Sequence, residues 1–337
     1  MQTILKTKKF HWLLAAAIPF LSSGTPMDII QAVKSKLSPQ YTNRVVTFST
    51  KNSGSCFKIV RNEEIFTQGW DTLQQPMFWS EIMTLSPKYC VVNQTTEREI
   101  LGVIPSRKYD SVSVERKSIF KDSVKAHHGF VSASQVTVTG GKSNYYLLRE
   151  TMPYLGTAID IFIAEGTDPW YAQTIMLIES PGASRVSPAG AAGHFQLMKE
   201  VAISVGLTVN KYTDERHDLV KSAQGAARFM QRVCIPQAKA MLDARGISYQ
   251  PSDLWFRLLV MHIYHAGAGN VRPALNSFAP SAGGRWMIER LWRTSHGGFQ
   301  VACQNYSQVA IAALMQLERI YLREGEKICG AEDIYFK

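Results

Sequence analysis

Long apolar runs are missing from this chain beyond its first two dozen residues, and a bilayer-spanning helix needs roughly 20 of them. Cysteine is scarce, at Cys56, Cys90, Cys234, Cys303 and Cys329 only. None of these falls in a CxxC pair or at zinc-ribbon spacing, which excludes both motifs. Acids are outnumbered, 27 Asp and Glu against 37 Lys and Arg, for a formal charge of +10. Such a surface favours polyanions: nucleic acid, anionic lipid or anionic cell-wall glycan. The basic residues are scattered, so charge biases the partner without identifying it.

The apolar run at the N-terminus reads as a targeting segment. Lys6, Lys8 and Lys9 precede a largely apolar stretch from Phe10 to Leu21, and Ser22, Ser23 and Gly24 are small residues suited to cleavage. A signal peptide over 1–24 is therefore expected, leaving a charge of +7 once its three lysines are removed. The short run makes an uncleaved anchor the weaker reading, and no cysteine at the cleavage region supports a lipid anchor. The protein is expected to be periplasmic or secreted, which makes nucleic acid the least favoured polyanion. Cys56–Cys90 and Cys303–Cys329 are candidate bridges, although five thiols leave one over and sequence cannot give connectivity. A buried free thiol is expected for Cys234.

A length of 337 residues allows two domains. Residues 27–150 are strand-rich: the runs 44–50, 56–60, 88–92, 99–104, 109–114 and 129–140 are β-branched or aromatic and broken by turn formers. They contain no catalytic constellation, and the adjacent His127 and His128 read as a surface pair. The region suits substrate positioning, partner binding or a regulatory cover. From about 151 the period becomes helical. Leu219, Ala223, Ala226, Met230 and Val233 share one face; Leu254, Leu258, Met261 and His265 mark another helix; a third begins near Ser307 and carries Ala310, Leu314, Met315 and Leu317. Pro169 suits a helix first turn, and Pro181-Gly182 ends the helix that closes at Glu179.

Glu179 follows Ile175, Met176, Leu177 and Ile178. With one side toward the core and the other toward a cleft, partial desolvation raises its pKa and lets it protonate a poor leaving group. A solvated helix-end glutamate is the alternative on local context. Gly190 and Gly193, with Ala189, Ala191 and Ala192 around them, leave space for a large substrate. Gln196 can donate to and accept from an acetamido group or a sugar hydroxyl. His194 can line the cleft, while Phe195 suits the core. Tyr264 stands before an AGAGN turn and can hydrogen-bond the carboxylate or an attacking hydroxyl, with packing as the alternative on local context.

Four elements in order resemble the soluble lytic transglycosylase and goose-type lysozyme superfamily, especially its membrane-bound transglycosylase D-like branch. They are Glu179-Ser180, the Ser187–Gly193 loop with Gln196-Leu197-Met198, Ile263–Val271, and Gln304-Asn305-Tyr306 before a terminal helix. Tyr212, Arg216 and Asp218 add a Tyr-x-x-x-Arg-x-Asp segment. The resemblance spans roughly 155–325. It implies an α+β protein in which a mainly α-helical, lysozyme-like catalytic domain (151–337) follows the strand-rich accessory region (27–150).

The resemblance also implies a peptidoglycan lytic transglycosylase that cleaves the MurNAc–GlcNAc β-1,4 bond to a 1,6-anhydromuramic product. Glu179 would act first as acid and then as base. Substrate contacts are expected from Ser180, Ser187, His194, Gln196, Tyr264, His265 and Tyr306. Glycan strands are the expected partner, with a cell-wall protein possible through the N-terminal region. No cofactor or metal is called for, because acid–base chemistry suffices. Glu200 is the only acid between Glu179 and Asp214, whereas an inverting hydrolase needs a second carboxylate across a water. Asp214, Glu215 or Asp218 could supply one, so lysozyme-type hydrolysis, including of modified or deacetylated glycan, stays as the alternative. A non-catalytic peptidoglycan-binding protein is the third reading. Three residues depart from the family pattern: His265 for Asn, His194 at a commonly apolar position, and Lys199 for Pro.

Overall fold

A computed structural model describes residues 44–50, 53–61, 63–131 and 135–333, so the expected signal at 1–24 lies outside the described residues. The β-branched runs near its start form β1 (Arg44–Thr50) and β2 (Ser53–Arg61), antiparallel, with Val45 opposite Val60. The other edge of β1 is covered by a strand from the far end of the chain, Gly325–Asp333. This closure brings Cys56 to Cys329, and the disulfide joins those two. Both expected bridges are thereby overturned: Cys90 lies on a different sheet and Cys303 on a helix, and both are free thiols. Cys234 is free and buried, as expected.

Helix α1 (Gln74–Thr84) buries Phe78, Trp79 and Ile82. A second antiparallel sheet follows, in which β3 (Tyr89–Gln94) lies between β4 (Ile100–Pro105) and β5 (Val136–Gly140). The run 109–114 is not the strand its valines predict. Ser106–Asp110 form a helical turn, and α2 (Val114–His127) starts where the Ser113 side chain accepts from the Arg116 N–H. An N-cap serine satisfying an orphan donor outweighs the β-propensity of two valines. His127 and His128 lie exposed at the end of α2.

The second half is helical: α3 (Leu148–Ala164), α4 (Pro169–Glu179), the hairpin of β6 (Arg185–Val186) and β7 (Ala192–Gly193), α5 (Lys199–Ser204), α6 (Leu219–Phe229), α7 (Ile235–Asp243), α8 (Leu254–Ala266), α9 (Ala268–Phe278), α10 (Arg285–Trp292) and α11 (Val301–Glu324). With strands gathered mainly before it, the chain is α+β as expected. The predicted face of α6 buries Ala223, Ala226 and Met230, but Val233 is exposed and Cys234 takes its place. Met230–Cys234 form a π-helical turn, and its wider turn rotates the buried face by one residue. On α8, Leu254, Leu258 and Met261 are buried as predicted, whereas His265 reaches the surface. Helix α11 starts six residues before the expected Ser307.

Helix α4 is the hub: every residue from Pro169 to Ile178 is buried. Asp168 caps it by accepting from the Trp170 N–H at 3.0 Å, and Pro169 occupies the first turn, where its missing N–H costs nothing. The second carboxylate oxygen of Asp168 accepts from Nε of the fully buried Arg257 at 2.8 Å, which fastens the start of α4 to α8.

The strand-rich region binds closely to this helical half. The Gln173 amide of α4 pairs with the Val60 peptide of β2, at 2.8 and 2.7 Å. The Trp79 indole donates to Gln308 at 3.1 Å. Arg61 donates from Nε to Glu318 at 3.0 Å, with both side chains 8 % exposed. Removing one partner from so buried a pair strands the other charge. Glu318→Ala is therefore expected to cost about 3–5 kcal/mol of stability, read as a lowered urea midpoint with an unchanged slope.

Candidate active site

Glu179 is the last residue of α4, where the chain must leave the helix because Pro181 cannot continue it. Three hydrogen bonds fix this exit. Ser180, 1 % exposed, donates its hydroxyl to the His194 carbonyl at 2.6 Å. The Tyr145 hydroxyl donates to the Glu179 carbonyl at 3.3 Å. The Gly182 N–H donates to the Thr151 hydroxyl at 2.8 Å. Gly182 sits at φ +89°, with Leu147 packed where a side chain would be. The backbone under the acid is therefore held from two directions.

The carboxyl itself is half-buried. Burial pushes its pKa from 4.5 up to about 7, against the opposing effect of the Tyr306 hydroxyl, which donates to Oε1 at 2.7 Å. Among the described residues no neighbouring carboxylate contributes to the shift. The partial negative charge at a helix C-terminus acts in the same direction as burial. An acid poised near neutrality can both give and take a proton.

Tyr306 projects from α11 and is 7 % exposed. Burial, and then the nearby Glu179 charge, raise its pKa well above the ordinary phenol value, so it remains a donor at neutral pH. The His265 ring lies against it, centroids 4.2 Å apart and planes 17° from parallel. Burial also lowers the His265 pKa, which favours a neutral ring on the phenol. Of the options open to it, Tyr264 does not bond the carboxylate. Its hydroxyl donates instead to the Phe195 carbonyl at 2.5 Å, although it lies close enough for Glu179 to raise its pKa after burial.

The small-residue loop is a β-hairpin, with Arg185 opposite Gly193 and Val186 opposite Ala192. Ser187 closes its turn by accepting from the Ala191 N–H at 3.0 Å. Gln196, in the left-handed region at φ +46°, donates its amide to the carbonyls of Arg185 and Gly193, both at 2.8 Å. Among the described residues its amide oxygen has no hydrogen-bond donor. His194 is half-buried, its ring 5.7 Å from that of Tyr154, and burial followed by the His217 charge lowers its pKa.

One of the expected substrate contacts is closed off: Ser180 is sealed beneath the chain by its bond to His194. Ser187 is half-buried, and its hydroxyl oxygen accepts from the hairpin turn while its O–H has no acceptor among the described residues. Glu179, Tyr306, Tyr264 and His265 come together directly, while Gln196 and His194 belong to the hairpin side.

Sequence reading missed Tyr145, which no motif marks, and gave Arg216 no role. The 7 %-exposed Arg216 ion-pairs with Asp214 and donates from Nη1 to the carbonyls of Gly190 at 2.8 Å and Leu197 at 3.0 Å. Its carbonyl packs against Gly193 (φ +84°) where a β-carbon would stand. Gly193→Ala is expected to force the hairpin off Arg216, costing more than about 1 kcal/mol together with activity. Paired denaturation and glycan-cleavage assays check this.

The three acids that could have supplied a second carboxylate are engaged elsewhere. Asp214 is held below the usual carboxylate range chiefly by hydrogen bonds from Arg216. Glu215 accepts from the Thr208 N–H, and Asp218 caps α6 through the Lys221 N–H. Two cavities of about 470 and 500 Å³ lie elsewhere on the molecule, and Glu179 lines neither.

Residues 163–282 match the family model described as the transglycosylase SLT domain. No curated protein matches the chain. The matched segment contains Glu179, the hairpin, Gln196 and Tyr264, with Tyr306 beyond its end. The match supports a lytic transglycosylase type of function on peptidoglycan, a substrate that lies outside the cytoplasm. Among the described residues no helix is long and apolar enough to cross a membrane. Residues 163–282 are thus similar to the transglycosylase SLT domain, which is consistent with the lytic transglycosylase and lysozyme-like superfamily.

Proposed function

We propose that the protein is a peptidoglycan lytic transglycosylase that cleaves the β-1,4 bond between MurNAc and GlcNAc with Glu179 as its single acid–base group. The observation that carries the reading is the half-buried Glu179 carboxyl, poised near pH 7 and tethered by Tyr306. Tyr306 occupies Oε1, which leaves Oε2 to carry the transferable proton. Glu179 gives that proton to the glycosidic oxygen as the C1–O bond breaks, and GlcNAc leaves with a free 4-hydroxyl. The carboxylate then takes the proton from the muramyl C6 hydroxyl, whose oxygen bonds to C1 and closes the 1,6-anhydro ring. The Tyr306 hydrogen bond stabilises the carboxylate between these steps, and the His265 ring holds the phenol in place. Gln196 turns its unengaged amide oxygen to a sugar N–H or hydroxyl.

The engagement of Asp214, Glu215 and Asp218 in ion pairs and caps supports single-carboxylate chemistry over the two-carboxylate inverting route. We also assign residues 151–337 as the catalytic part, residues 27–150 as its support and the N-terminal segment 1–24 as an export signal, with the protein acting in the periplasm or outside the cell.

Glu179→Gln should retain the fold and lower cleavage by about 10²–10⁴-fold. Mass spectrometry of digested peptidoglycan should show anhydro-muropeptides; products heavier by one water would indicate hydrolysis. Cleavage by wild type should fall as pH rises through about 7 and Glu179 loses its proton.

The same shift predicts a stability effect of definite sign. The folded pKa of Glu179 exceeds its unfolded value, so folding favours the neutral form. The associated stability is present below about pH 4.5 and is lost as pH rises through about 7. Glu179→Gln does not titrate, so its melting temperature should gain on wild type across that window and stay higher above it. Tyr306→Phe removes the hydrogen bond that lowers the Glu179 pKa. The alkaline limb of its pH–rate profile should therefore move upward by about one unit.

A further inference from the structure

One cavity of about 470 Å³ is framed by α1, the start of α3 and the end of α11, with Tyr146, Arg149, Glu150, Arg319 and Arg323 on its walls. Its charges are unevenly matched. Arg149 is ion-paired with Glu324. Arg319 and Arg323 stand one turn apart on α11, and neither forms an ion pair among the described residues. Arg319 is half-buried and donates only to the Ser80 hydroxyl, at 2.9 Å. Burial lowers the Arg319 pKa first and the Arg323 charge second, ahead of the opposing charges of Asp71 and Glu81. Two guanidiniums one turn apart on one wall repel each other unless an anion lies between them, and the planar donor face of a guanidinium suits a carboxylate.

The cavity adjoins the segment that positions the acid. Tyr145 donates to the Glu179 carbonyl, and its ring meets that of Tyr146, a cavity wall residue, edge-on at 4.9 Å. Gly182, three residues after Glu179, packs against Leu147 and Glu150, which also line the cavity. A chemical group attached to the sugar at the acid therefore has a charged chamber one side-chain layer away.

We propose that this cavity binds the stem peptide that peptidoglycan carries on the lactyl group of its muramyl residues, with Arg319 and Arg323 receiving peptide carboxylates and Glu150 facing a peptide ammonium. The assignment rests on the peptidoglycan reading of the Glu179 site and deepens it by naming the part of the substrate, other than sugar, that is recognised. It gives a carboxylate partner to two guanidiniums that form no ion pair among the described residues.

The test uses the full chain with Glu179→Gln, so that binding is read without cleavage. The probes are a soluble disaccharide–tetrapeptide muropeptide, the peptide-free disaccharide, and inorganic phosphate. Arg323 is exposed and has no described partner, so Arg323→Glu should leave folding intact, which its melting temperature checks. Calorimetry should show the muropeptide binding at least tenfold tighter than the peptide-free disaccharide, and Arg323→Glu should remove most of that difference. In the otherwise wild-type enzyme, the same substitution should lower the ratio of kcat/KM on peptide-bearing to peptide-stripped glycan about tenfold, chiefly through KM.

Equal affinity for the two sugars, or an equal loss on both in Arg323→Glu, would overturn the proposal. So would phosphate binding as tightly as the muropeptide, which would assign the cavity to phosphate-bearing ligands. The catalytic reading has its own readout in product mass. If hydrolytic products appear while the peptide preference vanishes in Arg323→Glu, the cavity assignment stands and only the cleavage chemistry changes.

Discussion

The arrangement depends on a carboxyl group taken part of the way out of water and left with one hydrogen-bond donor. Desolvation alone would favour the protonated form more strongly, while full hydration would leave the carboxyl ionised above its ordinary 4.5. Tyr306 sets the compromise, since its hydroxyl favours the charged form that burial disfavours. For that balance to hold, the carboxyl must not drift toward solvent, and most of the molecule's packing around α4 serves this requirement. The helix is pinned at its start by Asp168 and Arg257, along its length by the Gln173–Val60 pair, and at its end by Ser180, Tyr145 and Thr151.

The strand-rich region gains a physical role from the same bonds. Strand β2 contributes the Val60 peptide to α4 and Arg61 to the α11 carboxylate Glu318. The strand that follows α11 then pairs with β1 and is tied to β2 by the Cys56–Cys329 disulfide. The helix that holds Glu179 and the helix that supplies Tyr306 are thus referred to one sheet. On the opposite side, Arg216 supports the hairpin through backbone carbonyls, and the small residues of that loop leave its surface clear. Carbonyls of the loop are satisfied by the Arg216 guanidinium and the Gln196 amide, so the hairpin can be nearly devoid of bulky side chains and still be ordered.

Legibility in the sequence followed the range of the interactions. Glu179 at a helix end was readable because Pro169, the apolar run and Pro181-Gly182 are local signals, and local signals governed the structure there. The helical faces of α6 and α8 were readable until a π-turn shifted the register at Cys234, since a period of 3.6 cannot anticipate a five-residue turn. The partner of the acid was harder to read. Tyr306 stood in a recognised element, but its bond to Glu179 spans 127 positions and has no signature in spacing. Tyr145 carries no motif, and Ser180 looked available because sequence does not reveal that a hydroxyl is already spent on a buried carbonyl. The disulfide was misplaced for the same reason: the strand carrying Cys329 reaches β1 only after the whole helical half has folded back.

The central claim is that Glu179 is still substantially protonated at neutral pH. Infrared difference spectra between wild type and Glu179→Gln, recorded from pH 4 to 9, isolate the carbonyl stretch of this one protonated carboxyl. The account predicts a band that persists through pH 6 and disappears with a midpoint of about 7. A midpoint near the ordinary 4.5 would mean that the carboxyl is solvated and ionised, and the acid–base role assigned to it would be wrong.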